Sequence, residues 1–190
     1  MRNMKNIKII SIFIAIKILI ITFVISTPFS AYCTDPRIYM GIDLFPSFLA
    51  SDKKIKNKMG ENNQLNILLL YNKNREQAEE LAKRLLKVKK IRKIPVNVII
   101  EHHTLIDKWQ KKQLAGVFIT ETFLNISSII KFGIDKKIIV FSPFEGDVEK
   151  GMATGFFISE KVVPFINKKT IQSSNIHFKS FFLRISKSYD

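Results

Sequence analysis

Four short apolar runs separated by helix-type stretches constrain this chain more than any other feature. Ile67-Leu68-Leu69-Leu70-Tyr71, Val96 to Ile100, Gly116-Val117-Phe118-Ile119 and Ile138-Ile139-Val140-Phe141 are continuous rather than alternating. Continuous runs of this length are the pattern of strands buried on both faces, as in parallel sheets covered by helices. The segments between them carry helical spacing. Asn74 begins a helix with Gln77 three residues on, a capping-box spacing, and Ala78, Leu81, Ala82, Leu85 and Val88 form its apolar face. Its end is rich in Lys and Arg through Lys93, which complements the helix dipole, and Pro95 is expected to stop it. Thr104 to Gln113 and Glu121 to Phe132 are further predicted helices, the second with Phe123, Ile126, Ile129 and Ile130 inward. Ahead of them, Ile38, Ile42, Phe45 and Leu49 predict a helix over 37–49, and the polar stretch 53–63 predicts a loop.

After Pro143 the pattern changes. Met152 to Ile158 and Lys161 to Ile166 are β-type runs two residues apart, which predicts a hairpin. A final helix is expected over about 179–188, with Phe181, Phe182 and Ile185 in the core. The fold class expected is a single α/β domain: a mainly parallel sheet flanked by helices on both faces, with a C-terminal β-hairpin and a closing helix.

The N-terminus has a different character. Arg2, Lys5 and Lys8 precede an apolar run from Ile9 to Ile25 broken by Lys17, and small residues come after it around Ala31 and Cys33. This is the layout of a secretory signal peptide, assigned to residues 1–33, with the α/β domain over 34–190. The alternative is an uncleaved inner-membrane anchor, since 7–25 approaches the roughly 20 residues that span a bilayer. Lys17 in mid-run argues for cleavage, because a central charge costs about 2.5–3.5 kcal/mol on insertion scales. The expected location is the periplasm. Membrane contact is expected only through the leader, and the single Cys would leave with it.

The chain carries 31 Lys+Arg against 16 Asp+Glu, a net charge of +15. Four of those cations, Arg2, Lys5, Lys8 and Lys17, belong to the leader. Lys far outnumbers Arg, and Ile and Asn are also abundant, so the charge looks compositional and nucleic acid is not an expected partner. One Cys excludes a disulfide framework and a multi-Cys metal centre.

Candidate chemistry is sparse. His102 and His103 come directly after Glu101 at a strand end, where adjacent side chains point to opposite faces, and His177 lies elsewhere; no metal site is expected. Asp107 and Trp109 fall in a predicted helix, where a lone Trp is more often packing than a stacking platform. No G-x-S-x-G elbow and no phosphate-binding glycine loop is present. No catalytic residue and no cofactor is assigned. The best local candidate is Ser142-Pro143-Phe144-Glu145-Gly146-Asp147, directly after a strand, because ligands of open α/β sheets bind beyond the carboxyl ends of strands. Glu145, Asp147 and Glu149 there could hold a cation or a basic group. The competing interpretation is a turn made by Pro143 and Gly146, with Asp147 capping a short helical turn.

Gly151-Met152-Ala153-Thr154-Gly155-Phe156, the run from Val162 through Pro164-Phe165-Ile166-Asn167, Ile176-His177-Phe178 and Phe182-Leu183-Arg184-Ile185 resemble the C-terminal signature of the YfiR-like periplasmic family. Ser186 departs from the Ala common there, and no cysteine is available for the disulfides of some members. The resemblance implies a non-enzymatic regulator that acts on an inner-membrane signalling protein such as a diguanylate cyclase or sensor kinase; a homodimer is a separate partner expectation. It carries no catalytic residue. Gly151, Gly155, Phe156 and Asn167 are its architectural positions: the glycines for close backbone passage, Asn167 to end a strand and cap the next segment. The alternative function is a periplasmic solute-binding module with its ligand near Glu145 to Asp147.

Overall fold

The computed structural model describes residues 35–122 and 126–190. The expected leader and Phe123 lie outside the described residues. The opening helix α1, Pro36–Ser51, starts where Asp35 accepts from the Arg37 N–H (2.9 Å), with Pro36 in its first turn. Ile38, Ile42, Phe45, Phe48 and Leu49 are its buried stripe, as the spacing predicts. The strand β1 (Leu65–Tyr71) and the helix α2 (Arg75–Leu86) come next, the latter capped by Asn74 Oδ1 accepting from the Gln77 N–H at 2.9 Å.

Pro95 does not stop this helix. The helix ends at Leu86, and β2 (Lys90–Ile91) turns back as a hairpin into β3 (Ile94–His102). Arg92 and Lys93 both have positive φ, 49° and 71°. Two left-handed residues at a two-residue turn match the twist of the paired strands. Much of the cation cluster thus lies in a hairpin rather than at a helix end.

Beyond the hairpin lie β4 (Gly116–Ile119), α3 (Ser127–Lys136) and β5 (Ile139–Phe141). The helix predicted from Glu121 starts later, at Ser127. In place of the helix predicted over Thr104–Gln113 there is a 3-10 segment, His103–Trp109. The expected 53–63 loop contains one such turn, Ile55–Lys58. The hairpin after Pro143 forms as β6 (Thr154–Ile158) and β7 (Val162–Asn167). Two short helices, α4 (Lys168–Ser173) and α5 (Ser180–Ile185), lead to β8 (Lys187–Tyr189), a strand the periodicity missed. In α5 only Phe182 is buried; Phe181 and Ile185 are 50% and 56% exposed, so the expected three-residue inward face is corrected to one.

The strands form one sheet in the order β2-β3-β1-β4-β5-β6-β7-β8. The pairs β3–β1, β1–β4, β4–β5, β5–β6 and β7–β8 are parallel, and β2–β3 and β6–β7 antiparallel. The α/β class with a mainly parallel sheet and an appended hairpin is therefore the observed fold. One face buries Ile67, Leu69, Phe118 and Phe141 under α1 and α2; the other buries Leu68, Leu70, Val117 and Val140 under α3 and the 3-10 segment. Phe45, Phe118 and Phe141 meet at ring-centre distances of 5.5–5.6 Å, which pins α1 to the middle of the sheet.

Candidate functional site

The strand order makes β1 the point where the sheet's winding reverses, with β3 on one side and β4 on the other. In open α/β sheets the crevice beyond the carboxyl ends of such strands is where ligands sit. Thr120 sets the local geometry. It is fully buried, and both its N–H and its hydroxyl donate to the Leu70 carbonyl, at 3.0 and 2.9 Å. The next residue, Glu121, is thereby placed over the end of β1. Its Oε1 accepts from the backbone N–H groups of Asn72 (3.0 Å), Lys73 (3.0 Å) and Asn74 (2.7 Å), and its Oε2 also accepts from Lys73 at 3.0 Å. The whole β1–α2 loop is wrapped on one carboxylate, which occupies the position an anionic ligand would take at a helix N-terminus.

Two imidazoles lie at the end of the neighbouring strand β3, and Glu121 acts electrostatically on one of them, His103. Tyr71 meets the His102 ring edge-on at 5.3 Å, and His102 lies 4.9 Å from His103. The expectation that these histidines face opposite sides is corrected, because His103 leaves the strand and begins the 3-10 segment. His102 Nδ1 is 2.8 Å from Thr104 Oγ1. Burial pushes His103 below the ordinary imidazole value, the neighbouring His102 adds to this, and Glu121 opposes both. Among the described residues, no three His, Cys, Asp or Glu side chains gather as a metal-holding group.

The acidic turn after β5 is built differently. Asp147 faces inward, only 7% exposed, and accepts from the Ser142 hydroxyl at 2.6 Å. Ser142 Oγ in turn accepts from the Phe144 N–H. Asp147 caps no helix and does not share an outward rim with its neighbours. Glu145 is outward, 3.5 Å from Arg37, and Glu149 is exposed. Arg37 donates to the Pro143 carbonyl (2.9 Å) and lies 4.9 Å over the Phe156 ring, and together with Glu145, Glu149 and Phe156 it lines a small hollow of about 60 Å³.

The glycine and asparagine positions support this turn. Gly155 passes so close to β5 that a Cβ would stand 2.7 Å from the Ser142 carbonyl oxygen, and Gly151 has a φ of +112°. Asn167 ends β7, donates to the Val148 carbonyl at 2.8 Å and accepts from the Thr170 N–H at 3.0 Å as the cap of α4.

The expected site residues thus divide into one buried brace, Asp147, and two rim acids. Tyr71, His102, His103 and Glu121 were not joined by sequence reasoning. Their convergence depends on strand order, and the signal available was a polar cluster after each of three apolar runs.

No family model and no curated protein matches this chain. Solved structures do. An ABC domain in complex with L-Trp from Streptococcus pneumonia aligns with a TM-score of 0.51 at 14% identity, covering 80% of this chain and 60% of that one. A ligand-free, open substrate-binding protein with adhesive properties from Clostridium difficile aligns at 0.53 and 13% identity, covering 79% and 58%. The chain spans about three fifths of the length of these structures, and at such identity the likeness is one of fold. Among the described residues no helix is long and apolar enough to cross a membrane. The molecule shares its α/β fold with a substrate-binding protein and with an ABC domain solved in complex with L-Trp.

Proposed function

We propose that this chain is an exported solute-binding module, not an enzyme, and that it holds a small amine-bearing solute at the carboxyl ends of β1 and β4. The observation that carries this reading is the closure of the backbone N–H cradle by Glu121. With those donors taken, the carboxyl ends of β1 and β4 offer a ligand the Glu121 carboxylate, the Tyr71 ring and two imidazoles, a set that suits an ammonium group beside an apolar or aromatic body. The substrate-binding protein of like fold supports the class, and the ABC domain of like fold in complex with L-Trp supports an amino acid as a first probe.

The test is a thermal-shift and calorimetric panel of L-amino acids, polyamines and dicarboxylates on the full chain. Amines should raise the melting midpoint and dicarboxylates should not, and Glu121→Gln should remove the amine effect. Stabilisation by dicarboxylates alone, or amine binding unchanged in Glu121→Gln, contradicts the proposal.

One observation favours a second reading, a regulator docked on a membrane signalling protein as the YfiR-like resemblance implies. Phe181, Leu183, Ile185 and Tyr189 are 40–56% exposed beside a hollow of about 310 Å³ lined by Ile166, Ile171 and Leu183. Crosslinking from Leu183 in intact membranes would capture such a partner; crosslinking of solvent-exposed Glu160 equally well would dismiss this face.

A further inference from the structure

The 3-10 segment that replaces the expected helix is too short to cover the sheet, and it leaves a groove of about 520 Å³ beside the amino ends of β1 and β4. On this face β1 carries Leu68 and Leu70 where α3 and the segment pack, but Asn66 where the groove opens. The floor is Asn66 and Ile99, and the wall is Trp109; Lys111, Lys112 and Gln113 lie along the rim, and one acid, Glu61, also lines the groove, so its cations outnumber its carboxylates two to one. The amides hold one another in place. Asn97 Nδ2 donates to Asn66 Oδ1 at 2.9 Å, Asn62 Nδ2 donates to the same oxygen at 3.1 Å, and Asn66 Nδ2 donates to the Gln113 carbonyl at 3.3 Å. Gln113 Nε2 donates to the Asn57 carbonyl at 2.9 Å, which joins the two rims. The Trp109 ring is also fixed, its Nε1 donating to Glu101 at 3.4 Å, and Lys112 Nζ sits 4.6 Å over its face.

We propose that this groove binds an acidic saccharide. A sugar ring presents an apolar C–H face and a rim of hydroxyls that both donate and accept. A fixed indole matches the first, and the amide N–H groups of Asn66 and Gln113 that the network leaves over, with the Gln113 side-chain oxygen, match the second. Lys112 over the indole and Lys111 beside it put positive charge where a carboxylate on that sugar would lie. The groove is at the opposite end of the strands from the Glu121 crevice, so this assignment does not rest on the solute reading.

Trp109 is the only tryptophan in the chain, so its emission reports on this groove alone. Titration of the full chain with trigalacturonate should give a saturable emission change, and maltotriose should bind about tenfold more weakly or worse. Lys111→Gln with Lys112→Gln, both exposed, should leave the melting midpoint unchanged and weaken trigalacturonate by about tenfold, judged from the midpoint of the titration rather than its amplitude. Absence of a saturable change with trigalacturonate overturns the proposal. So does an equal response to a short polyacrylate, which carries carboxylates without a sugar ring, or an unaltered affinity in the double variant.

Discussion

At the amino end of the sheet Lys58 Nζ lies 2.6 Å from Asp52 Oδ2, with side chains 10% and 0% exposed, whereas at the carboxyl end Glu121 and Asp147 are held by backbone N–H groups and a serine hydroxyl. The first arrangement buries opposite charges together. Asp52 Oδ1 also accepts from the Lys54 N–H, and Arg92 donates to the Asp52 carbonyl, so the pair ties α1, the Ile55–Lys58 turn and the β2–β3 hairpin. Burial pulls Lys58 below the ordinary lysine value, an effect Asp52 only partly offsets. Such a pair is costly to break and has nothing to exchange with solvent. The second arrangement relies on neutral donors, three backbone N–H groups for Glu121 and the Ser142 hydroxyl for Asp147, with Lys150 as a cation 3.7 Å from Asp147. The comparison separates an end held by a buried ion pair from an end that, under the proposed function, responds to a solute.

The largest expected effect is at the ion-paired end. Lys58→Met should cost about 3–5 kcal/mol in urea unfolding, because it strands a buried carboxylate. Adding Asp52→Asn should recover much of that loss; no recovery would mean that the pair is not the source of the stability. Next, Asp147→Ala should cost about 2 kcal/mol, the value of a buried hydrogen bond to a charged group, and Asp147→Asn clearly less, because its carbonyl still accepts from Ser142. Glu145→Gln, at an 85% exposed side chain, should stay within about 0.5 kcal/mol. Equal losses for the three would erase the distinction between brace and rim.

At the responsive end, Glu121→Ala should cost about 1 kcal/mol, since the N–H groups it releases can turn to water. The pH dependence there should be smaller still. His103 titrates lower in the folded protein than its ordinary value of 6.5, so the folded state favours the neutral ring. Its contribution to stability is therefore full above about 6.5 and is lost as pH falls through the lowered value. His103→Gln should flatten the melting curve in that acid window; an unchanged slope would assign it to other groups.

Much of the fold was legible because its signals are local. Continuous apolar runs mark β1, β4 and β5, and the α1 stripe from Ile38 to Leu49 is buried as its spacing requires. The failures have physical causes. Arg92 and Lys93 adopt left-handed backbone without the Gly or Asn that usually announces it, so the β2–β3 hairpin was hidden inside a cation run. β8 is a fully exposed strand of three residues, with no alternation to detect. The Glu121 cluster escaped a sound rule because polar residues come after several strand ends, and only the order β3-β1-β4 brings Glu121 and the two histidines to one end of adjacent strands. Asp147 looked like a rim acid because sequence shows charge and not burial.

Solute binding at the carboxyl ends of β1 and β4 is tested most directly by amide hydrogen exchange, with and without the amine that gives the largest thermal shift. The expected result is altered protection of the Asn72, Lys73 and Asn74 N–H groups that Glu121 holds, together with Tyr71 and His102, and no change at Asp52 to Lys58. Protection that changes only in the Ser142–Gly151 turn, or only over Ser180–Tyr189, would contradict the assignment and move the functional surface to that part of the molecule.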